Sequence, residues 1–243
     1  MNKKITTLSA LMAAALALPS VTYSATFGDD FSTDTSADYV YTSTFGNNTA
    51  TWNISGGTLT LPASGGSGQT ANLFYDTATF AIGETVSVDV TGNDDAYLTV
   101  STTTFAPNVG LNDGVRFNWY SDGTFRARSY TNGGTATNTN FHSSFNEASG
   151  SSMTLYLTRE SDNTFSAAYS SIGGAMIQLN TTGGTEKQIF TAGDTGNGDL
   201  FIGVETYNSG VRNFDNLAVV PEPASAALLL GLGGLALAFR RRR

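Results

Sequence analysis

Short stretches of alternating apolar and polar residues recur between positions 25 and 220. In Thr85–Val90, three valines alternate with Thr, Ser and Asp, so an extended strand has one apolar face. Seven further stretches have a strand-like pattern: Tyr97–Ser101, Val115–Tyr120, Phe125–Tyr130, Met153–Thr158, Phe165–Tyr169, Leu200–Thr206 and Phe214–Val219. Clusters of Gly, Asn, Asp and Ser separate them, and no window has a sustained helical period. The pattern predicts an all-β body over residues 25–219, folded as a single two-sheet antiparallel β-sandwich.

The register of one hairpin can be predicted from its side chains. A three-residue connection pairs Trp119 with Phe125 and Phe117 with Ala127, whereas a two-residue Asp-Gly turn pairs Trp119 with Arg126. The hydrophobic pattern favours the longer connection, because it keeps arginines off the apolar face. The opposite face of the hairpin then carries Arg116, Asn118, Tyr120, Arg126, Arg128 and Tyr130.

The first 24 residues have the three parts of a secretory signal peptide. Lys3 and Lys4 form a charged region, Leu8–Leu18 is apolar, and small residues follow a helix-breaking Pro-Ser pair. This order predicts a signal helix that signal peptidase removes after Ser24, with Ala25 as the alternative cleavage position. We therefore expect the body to be exported.

The other end of the chain has a second apolar segment. Residues 224–239 carry no charge, and four arginines follow. Sixteen helical residues span about 24 Å, somewhat less than a hydrocarbon core of about 30 Å, and flanking side chains can cover the difference. The sequence predicts one short transmembrane helix with the arginines on the cytoplasmic side and the body outside. A plain tail anchor is the simplest interpretation of this segment.

The order Pro221, Glu222, Pro223, short apolar helix and terminal Arg run closely resembles the PEP-CTERM sorting signal. That signal belongs to Gram-negative bacteria that make extracellular polysaccharide, and the membrane protease exosortase recognises it. The resemblance implies that residues 220–243 are a sorting signal, cut near the Pro-Glu-Pro motif. It also implies an inner-membrane intermediate and delivery of the body to the cell surface or extracellular matrix. A plain anchor does not require the two prolines.

Both ends of the body resemble concanavalin A-like or laminin-G-like jelly rolls. The opening segments are Phe27–Ser32 and Trp52–Leu61, and the closing ones are Phe201–Val204 and Phe214–Val219. The resemblance implies that the first and last strands pair, which leaves the termini adjacent. It supports a fold more than an activity.

Many β-jelly-roll carbohydrate modules hold a structural calcium ion between an acid of the first strand and an aspartate of the last. Asp29 or Asp30, together with Asp215, occupies the matching places here. Carboxylate oxygens suit this cation, and an exported body meets calcium outside the cell. We therefore predict a possible structural Ca²⁺ and no other cofactor. The alternative is that these aspartates cap turns.

Charge and composition exclude several classes of function. The formal net charge is −8, but residues 25–220 carry six positive and nineteen negative side chains, a net charge of −13. Such a body is a poor binder of nucleic acid. The chain has no cysteine and one histidine, which excludes disulfides, zinc-thiolate sites and multi-histidine metal sites. The histidine, His142, lies in a polar segment that we predict to be a surface loop.

The sequence lacks the acid pair that glycoside hydrolases of this superfamily carry on one strand. Retaining cleavage needs two carboxyl groups about 5 Å apart. The glutamates of the body are each isolated in the sequence: Glu84, Glu147, Glu160, Glu186 and Glu205. We therefore predict no catalytic residues, although strands could still bring two carboxylates together.

Three classes of function stay open. The first is a non-catalytic surface or matrix protein that acts in adhesion or structure of the exopolysaccharide and biofilm. The second is a lectin-like module for acidic glycans, and the third is a secreted glycoside hydrolase. For the second class the candidate ligand residues are Arg116, Tyr120, Arg126, Arg128 and Tyr130, since guanidinium groups bind carboxylates and tyrosines pack on sugar rings. The alternative is that neighbouring acids compensate these arginines.

Overall fold

The computed structural model describes residues 27–43, 52–61, 70–91, 96–104, 113–120, 124–131, 137–142, 152–184, 186–193, 195, 198–207 and 211–221. The predicted signal peptide, the predicted transmembrane helix and several of the connections between strands lie outside these residues. Within the described residues, no helix is long and apolar enough to cross a membrane.

The described residues form sixteen strands and one short 3-10 helix, Ser36–Asp38. The first eight strands are β1 (Phe27–Asp29), β2 (Tyr39–Ser43), β3 (Asn53–Ile54), β4 (Leu59–Leu61), β5 (Thr70–Phe80), β6 (Glu84–Thr91), β7 (Ala96–Ser101) and β8 (Gly114–Trp119). The second eight are β9 (Thr124–Tyr130), β10 (Thr137–His142), β11 (Ser152–Arg159), β12 (Thr164–Ser171), β13 (Ile177–Gln178), β14 (Ile189–Thr191), β15 (Leu200–Tyr207) and β16 (Arg212–Pro221). The eight strands expected from alternation are β6 to β9, β11, β12, β15 and β16, and all eight are confirmed.

The strands form two antiparallel sheets. The seven-stranded sheet has the order β10-β9-β8-β7-β15-β5-β2. The nine-stranded sheet has the order β13-β12-β11-β6-β16-β4-β3, with β1 paired to β16 and β14 paired to β12. This arrangement confirms the prediction of an all-β protein built from two antiparallel sheets.

The first and last described strands pair, as the jelly-roll resemblance implies. Phe27 of β1 lies opposite Val219 of β16. β6 covers the other edge of β16, with a bulge between Asp215 and Ala218. Asn216, within this bulge, has a positive φ of 50°, a backbone conformation that Asn tolerates better than most residues. The last strand therefore lies inside the nine-stranded sheet.

The core lies between the inner faces of the two sheets. Val86, Val88 and Val90 of β6 are buried there, as their alternation predicts. The hairpin of β8 and β9 has the predicted register, because Trp119 lies opposite Phe125 and Phe117 opposite Ala127. Trp119 is therefore a core residue, and the polar face of the hairpin points away from the core.

Strand β10 corrects one prediction from the sequence. The segment around His142 was expected to be a surface loop, but His142 ends β10 and lies opposite Thr124 of β9. Phe141 alone of this polar strand is fully buried. A strand at the edge of a sheet can be polar on most positions, since it has a single neighbour and one inward apolar side chain suffices.

Candidate functional site

Polar side chains cover the outer face of the seven-stranded sheet, which we call the polar face. The strand registers place Thr42, Asn72, Glu205 and Tyr97 opposite one another on successive strands. A second row runs from Gly203 through Thr99, Arg116 and Arg128 to Asn138, and a third contains Asn118, Arg126 and Asn140. The face is buried at its centre and exposed at the β10 edge. The β9–β10 side of the polar face is therefore accessible.

An ion pair lies at the buried centre of the polar face. The Nη2 of Arg116 donates a hydrogen bond to Oε1 of Glu205, across the intervening strand β7. Its Nη1 donates to the hydroxyl of Tyr130 at 2.9 Å. The guanidinium carbon lies 4.5 Å from the ring centroid of Tyr97 and 5.7 Å from that of Tyr207. Arg116 is thus enclosed by one carboxylate and aromatic rings, which stabilise its charge.

Burial shifts the pKa values of both members of this ion pair. Desolvation raises the pKa of Glu205 to about 7, because it outweighs the attraction of Arg116, Arg128 and the Thr99 hydroxyl. Desolvation alone lowers the pKa of Arg116, but the Glu205 carboxylate and the tyrosines raise it above its ordinary value. Arg116 therefore stays charged, and Glu205 is the group that titrates.

Two further arginines lie at the accessible side of the polar face. The Arg126 guanidinium carbon is 4.2 Å from the ring centroid of Tyr120, and its Nε donates to Oδ1 of Asn140 at 2.8 Å. Arg128 Nη2 donates to the Tyr120 hydroxyl at 3.0 Å. Within the described part of the chain, neither arginine forms an ion pair with an acid. Tyr120, Arg126 and Arg128, which we call the arginine patch, are half-buried and cationic.

The structure therefore divides the five glycan-binding candidates into two groups. All five lie on one face, as the hairpin register predicts. Arg116 and Tyr130 are 1% and 5% exposed, so no ligand reaches them in this structure and their contacts are internal. Among the described residues, Arg116 has an ion-pair partner, Glu205, whereas Arg126 and Arg128 form no ion pair. The Glu205 carboxylate still attracts Arg128 at longer range. Sequence reasoning missed Glu205 as a partner because the order of strands β8, β7 and β15 creates the contact.

Two of the predicted calcium residues, Asp29 and Asp30, line a cleft of about 400 Å³ where β1 meets β16. Asp215 lines a different cleft, together with Asp89. Asp29 Oδ1 accepts a hydrogen bond from the Phe31 N–H, and Oδ2 accepts from the hydroxyls of Thr35 and Tyr39. Asp30 accepts from the Ser32 N–H. Both aspartates thus cap the turn after β1. In the described ranges, no group of three or more His, Asp or Glu side chains is placed to hold a metal ion.

The aspartates of β1 and β16 nevertheless influence one another. Desolvation raises the pKa of Asp215, and the charges of Asp89, Asp30 and Asp29 raise it further, against a hydrogen bond from the Asn216 N–H. Asp215 lies directly opposite Asp89 in the sheet, and like charges in this arrangement repel. A cation at this place relieves the repulsion, so calcium stays a prediction.

We expect calcium to raise the melting temperature of the body if the aspartates bind it. A ligand at 100 times its dissociation constant adds about 2.7 kcal/mol to the stability of the folded state. Asp215→Asn should remove most of this gain and leave the fold intact, whereas Asp76→Asn on β5 should keep it. The measurement is thermal unfolding in calcium and in chelator. Equal melting temperatures in the two solutions contradict the calcium site.

The comparisons with known proteins agree with the prediction for the C-terminal end of the sequence and with the fold. Residues 219–243 match the PEP-CTERM protein-sorting motif, which implies export and membrane-anchored sorting to the cell surface. No curated protein is significantly similar to the chain in sequence. The fold is similar to the galectin-like fold of a solved structure.

Three solved structures illustrate this likeness. A Bacillus subtilis protein of unknown function with a galectin-like fold has a TM-score of 0.52 at 11% identity, over 82% of this chain and 98% of that chain. The exoplasmic/lumenal domain of VIP36, in a Ca²⁺/Man3GlcNAc-bound form, has a TM-score of 0.50 at 8% identity, over 76% and 84%. A glycosyl hydrolase family protein from Mycobacterium fortuitum has a TM-score of 0.47 at 13% identity, over 81% and 99%. At these identities the likeness shows the fold alone.

Proposed function

We propose that this exported protein is a non-catalytic surface or matrix protein whose sandwich binds acidic polysaccharide through the arginine patch. One observation carries the proposal: Arg126 and Arg128 have no acidic partner in the described structure. The body around them has a net charge of −13. Two arginines that form no ion pair with any described residue, on so acidic a body, favour an anionic ligand, since nearby carboxylates are the ordinary compensation.

The geometry of the patch suits a sugar chain that carries carboxylates. Arg126 and Arg128 are two positions apart on one strand, so their Cα atoms are about 7 Å apart. Each guanidinium group offers a planar fork to a carboxylate. Tyr120 contacts both arginines; Arg126 covers one face of its ring, and the other face is where a sugar can pack. Asn138 and Asn140 are exposed beside the patch and add amide groups for sugar hydroxyls. The patch therefore combines charge recognition with packing.

The surroundings of Glu205 support a non-catalytic role. Glu205 is fully buried and paired with Arg116, and no carboxylate is among the groups that most perturb its pKa. Glycoside hydrolysis needs two carboxyl groups about 5 Å apart for retention or about 6.5–9.5 Å apart for inversion. Release of reducing ends from matrix polysaccharide by the purified protein supports instead the glycoside hydrolase alternative.

We expect Arg126→Ala/Arg128→Ala to abolish binding to acidic polysaccharide with little loss of stability. Binding should weaken as salt rises, because screening reduces the attraction between exposed charges. The measurement is calorimetric titration with an alginate-type polyuronate at low and high salt, beside a neutral glucan.

The matched control for this experiment removes two positive charges elsewhere. Lys187→Ala/Arg212→Ala changes the net charge by the same amount and leaves the patch intact, so it should bind like the parent. Parental binding by the patch variant at low salt contradicts the proposal. An equal loss in both double variants shows that net charge, and not the patch, controls binding.

A further inference from the structure

The buried ion pair and the arginine patch belong to one network of contacts on the polar face. Arg116, which pairs with Glu205, lies over the ring of Tyr97, with its guanidinium carbon 4.5 Å from the ring centroid. The hydroxyl of Tyr97 lies 3.5 Å from that of Tyr120. The Tyr120 hydroxyl in turn accepts a hydrogen bond from Arg128 at 3.0 Å. This network connects Glu205 to the arginine patch.

The net charge of the buried pair depends on the protonation of Glu205. Arg116 stays charged, so the pair is neutral when Glu205 is ionised and carries one positive charge when Glu205 is protonated. The two side chains are 1% and 0% exposed, and salt screens buried charges much less than exposed ones. The ionised Glu205 attracts Arg128, whereas Arg116 repels it. Protonation of Glu205 therefore makes the electrostatic potential at the arginine patch more positive.

We propose that Glu205 regulates the arginine patch by its protonation, so that the patch binds acidic polysaccharide more tightly in slightly acidic than in alkaline solution. Glu205 then acts on the ligand and the surface of the proposed function, on which this inference rests. An anionic ligand on the patch and an ionised Glu205 repel each other, and protonation removes this repulsion. The coupling is reciprocal, because a bound polyanion favours the proton on Glu205 by the same free energy.

Among the described side chains around it, Glu205 is the one that changes charge near neutral pH. The titratable or charged side chains that face it are Tyr97 of β7, Arg116 of β8, Arg128 and Tyr130 of β9, and Tyr207 of its own strand. Strand β5 places Asn72, which does not titrate, opposite it. Tyrosine and arginine side chains ordinarily titrate at about pH 10 and above about pH 12.

The single histidine of the chain is removed from the test. His142 ends β10, opposite Thr124 at the edge of the seven-stranded sheet, and histidine ordinarily titrates at about pH 6.5. The experiment therefore uses the full chain with His142→Gln as its reference. Two variants of this reference each remove one carboxylate: Glu205→Gln, and Glu160→Gln as the matched control. Glu160 follows β11 of the other sheet and pairs with Lys187.

Calorimetric titration with an alginate-type polyuronate at low salt, at about pH 5.5 and about pH 8.5, tests the inference. Carboxyl groups of ordinary acidity are ionised at both values. We expect the reference chain to bind about threefold or more tightly at the lower pH. Glu205→Gln should bind at both values as tightly as the reference does at the lower one, because its buried pair always carries the charge of Arg116. Glu160→Gln should keep the pH dependence of the reference.

The outcomes distinguish this inference from the proposed function. Binding by the reference chain with equal affinity at the two pH values overturns the inference and leaves the proposed function standing. A pH dependence that persists in Glu205→Gln overturns it as well. Absence of binding at both values contradicts the proposed function, and the inference falls with it. If Glu205→Gln does not fold, proton uptake decides: binding by the reference chain near pH 7, measured in two buffers of different ionisation enthalpy, must take up protons, and no uptake overturns the inference.

Discussion

Arg116→Met is expected to lower the free energy of unfolding by about 3–5 kcal/mol at about pH 9, where Glu205 is charged in the parent. The substitution keeps much of the side-chain volume but removes the cation that faces Glu205 at the buried centre of the polar face. Glu205 must then stay charged without a partner or take up a proton, and either change costs free energy. The hydrogen bond to Tyr130 is lost as well. Chemical denaturation at constant pH measures the effect.

Two comparisons separate the loss of the ion pair from the loss of an arginine. Arg126→Met alters an arginine on the same face that is half-buried and has no acidic partner in the described residues. It should change stability by no more than about 0.5 kcal/mol. The double variant Arg116→Met/Glu205→Gln should lose clearly less than the sum of its single variants, since neither group is left charged and alone. Additive losses contradict a coupled pair.

Glu205 is also expected to make stability depend on pH. Its pKa is about 7 in the folded protein and about 4.3 in an unfolded chain. Between these values the folded state holds a proton that the unfolded state has released, so stability falls as pH rises. The contribution is complete below about pH 4 and is lost as pH rises through about 7. Its size is about 4 kcal/mol, from the difference between the two pKa values.

The comparison of the parent with Glu205→Gln isolates this contribution. Other carboxylates titrate in the same range, but they are common to both proteins, so the difference between their free energies of unfolding reports Glu205. Urea denaturation from pH 4 to pH 8 should show this difference changing between pH 4 and pH 7. A difference that stays constant over the range contradicts a raised pKa for Glu205.

The strands that can be predicted from the sequence are those in which apolar and polar residues alternate along the whole strand. β6 alternates valine with polar residues because one face is core and the other is outer surface. The hairpin register follows because a wrong pairing places Arg126 opposite Trp119. Strand β10 has one buried apolar residue, Phe141, among polar ones. Its strand structure depends on pairing with β9, which a local pattern does not reveal.

Only the part of the candidate site that lies on the hairpin of β8 and β9 could be predicted from the sequence. The register places Arg116, Arg126 and Arg128 on one face, but it does not show which of them is buried. That difference depends on strand order, which brings Glu205 near Arg116 from a strand 89 positions away in the chain. The cluster of Asp29 and Asp215 was predicted from the pairing of first and last strands. The alternative to calcium binding is that these aspartates cap turns, and Asp29 accepts hydrogen bonds of that kind.

The position of β16 has a consequence for the order in which the body folds. This strand is synthesised last, yet it lies between β6 and β4 and beside β1. β6 therefore cannot pair with β16 until residues more than 120 positions downstream have been synthesised. β1 cannot pair with β16 until almost the whole domain has been synthesised. Such non-local pairing makes folding slow. The nine-stranded sheet cannot close until nearly all of the body has been made.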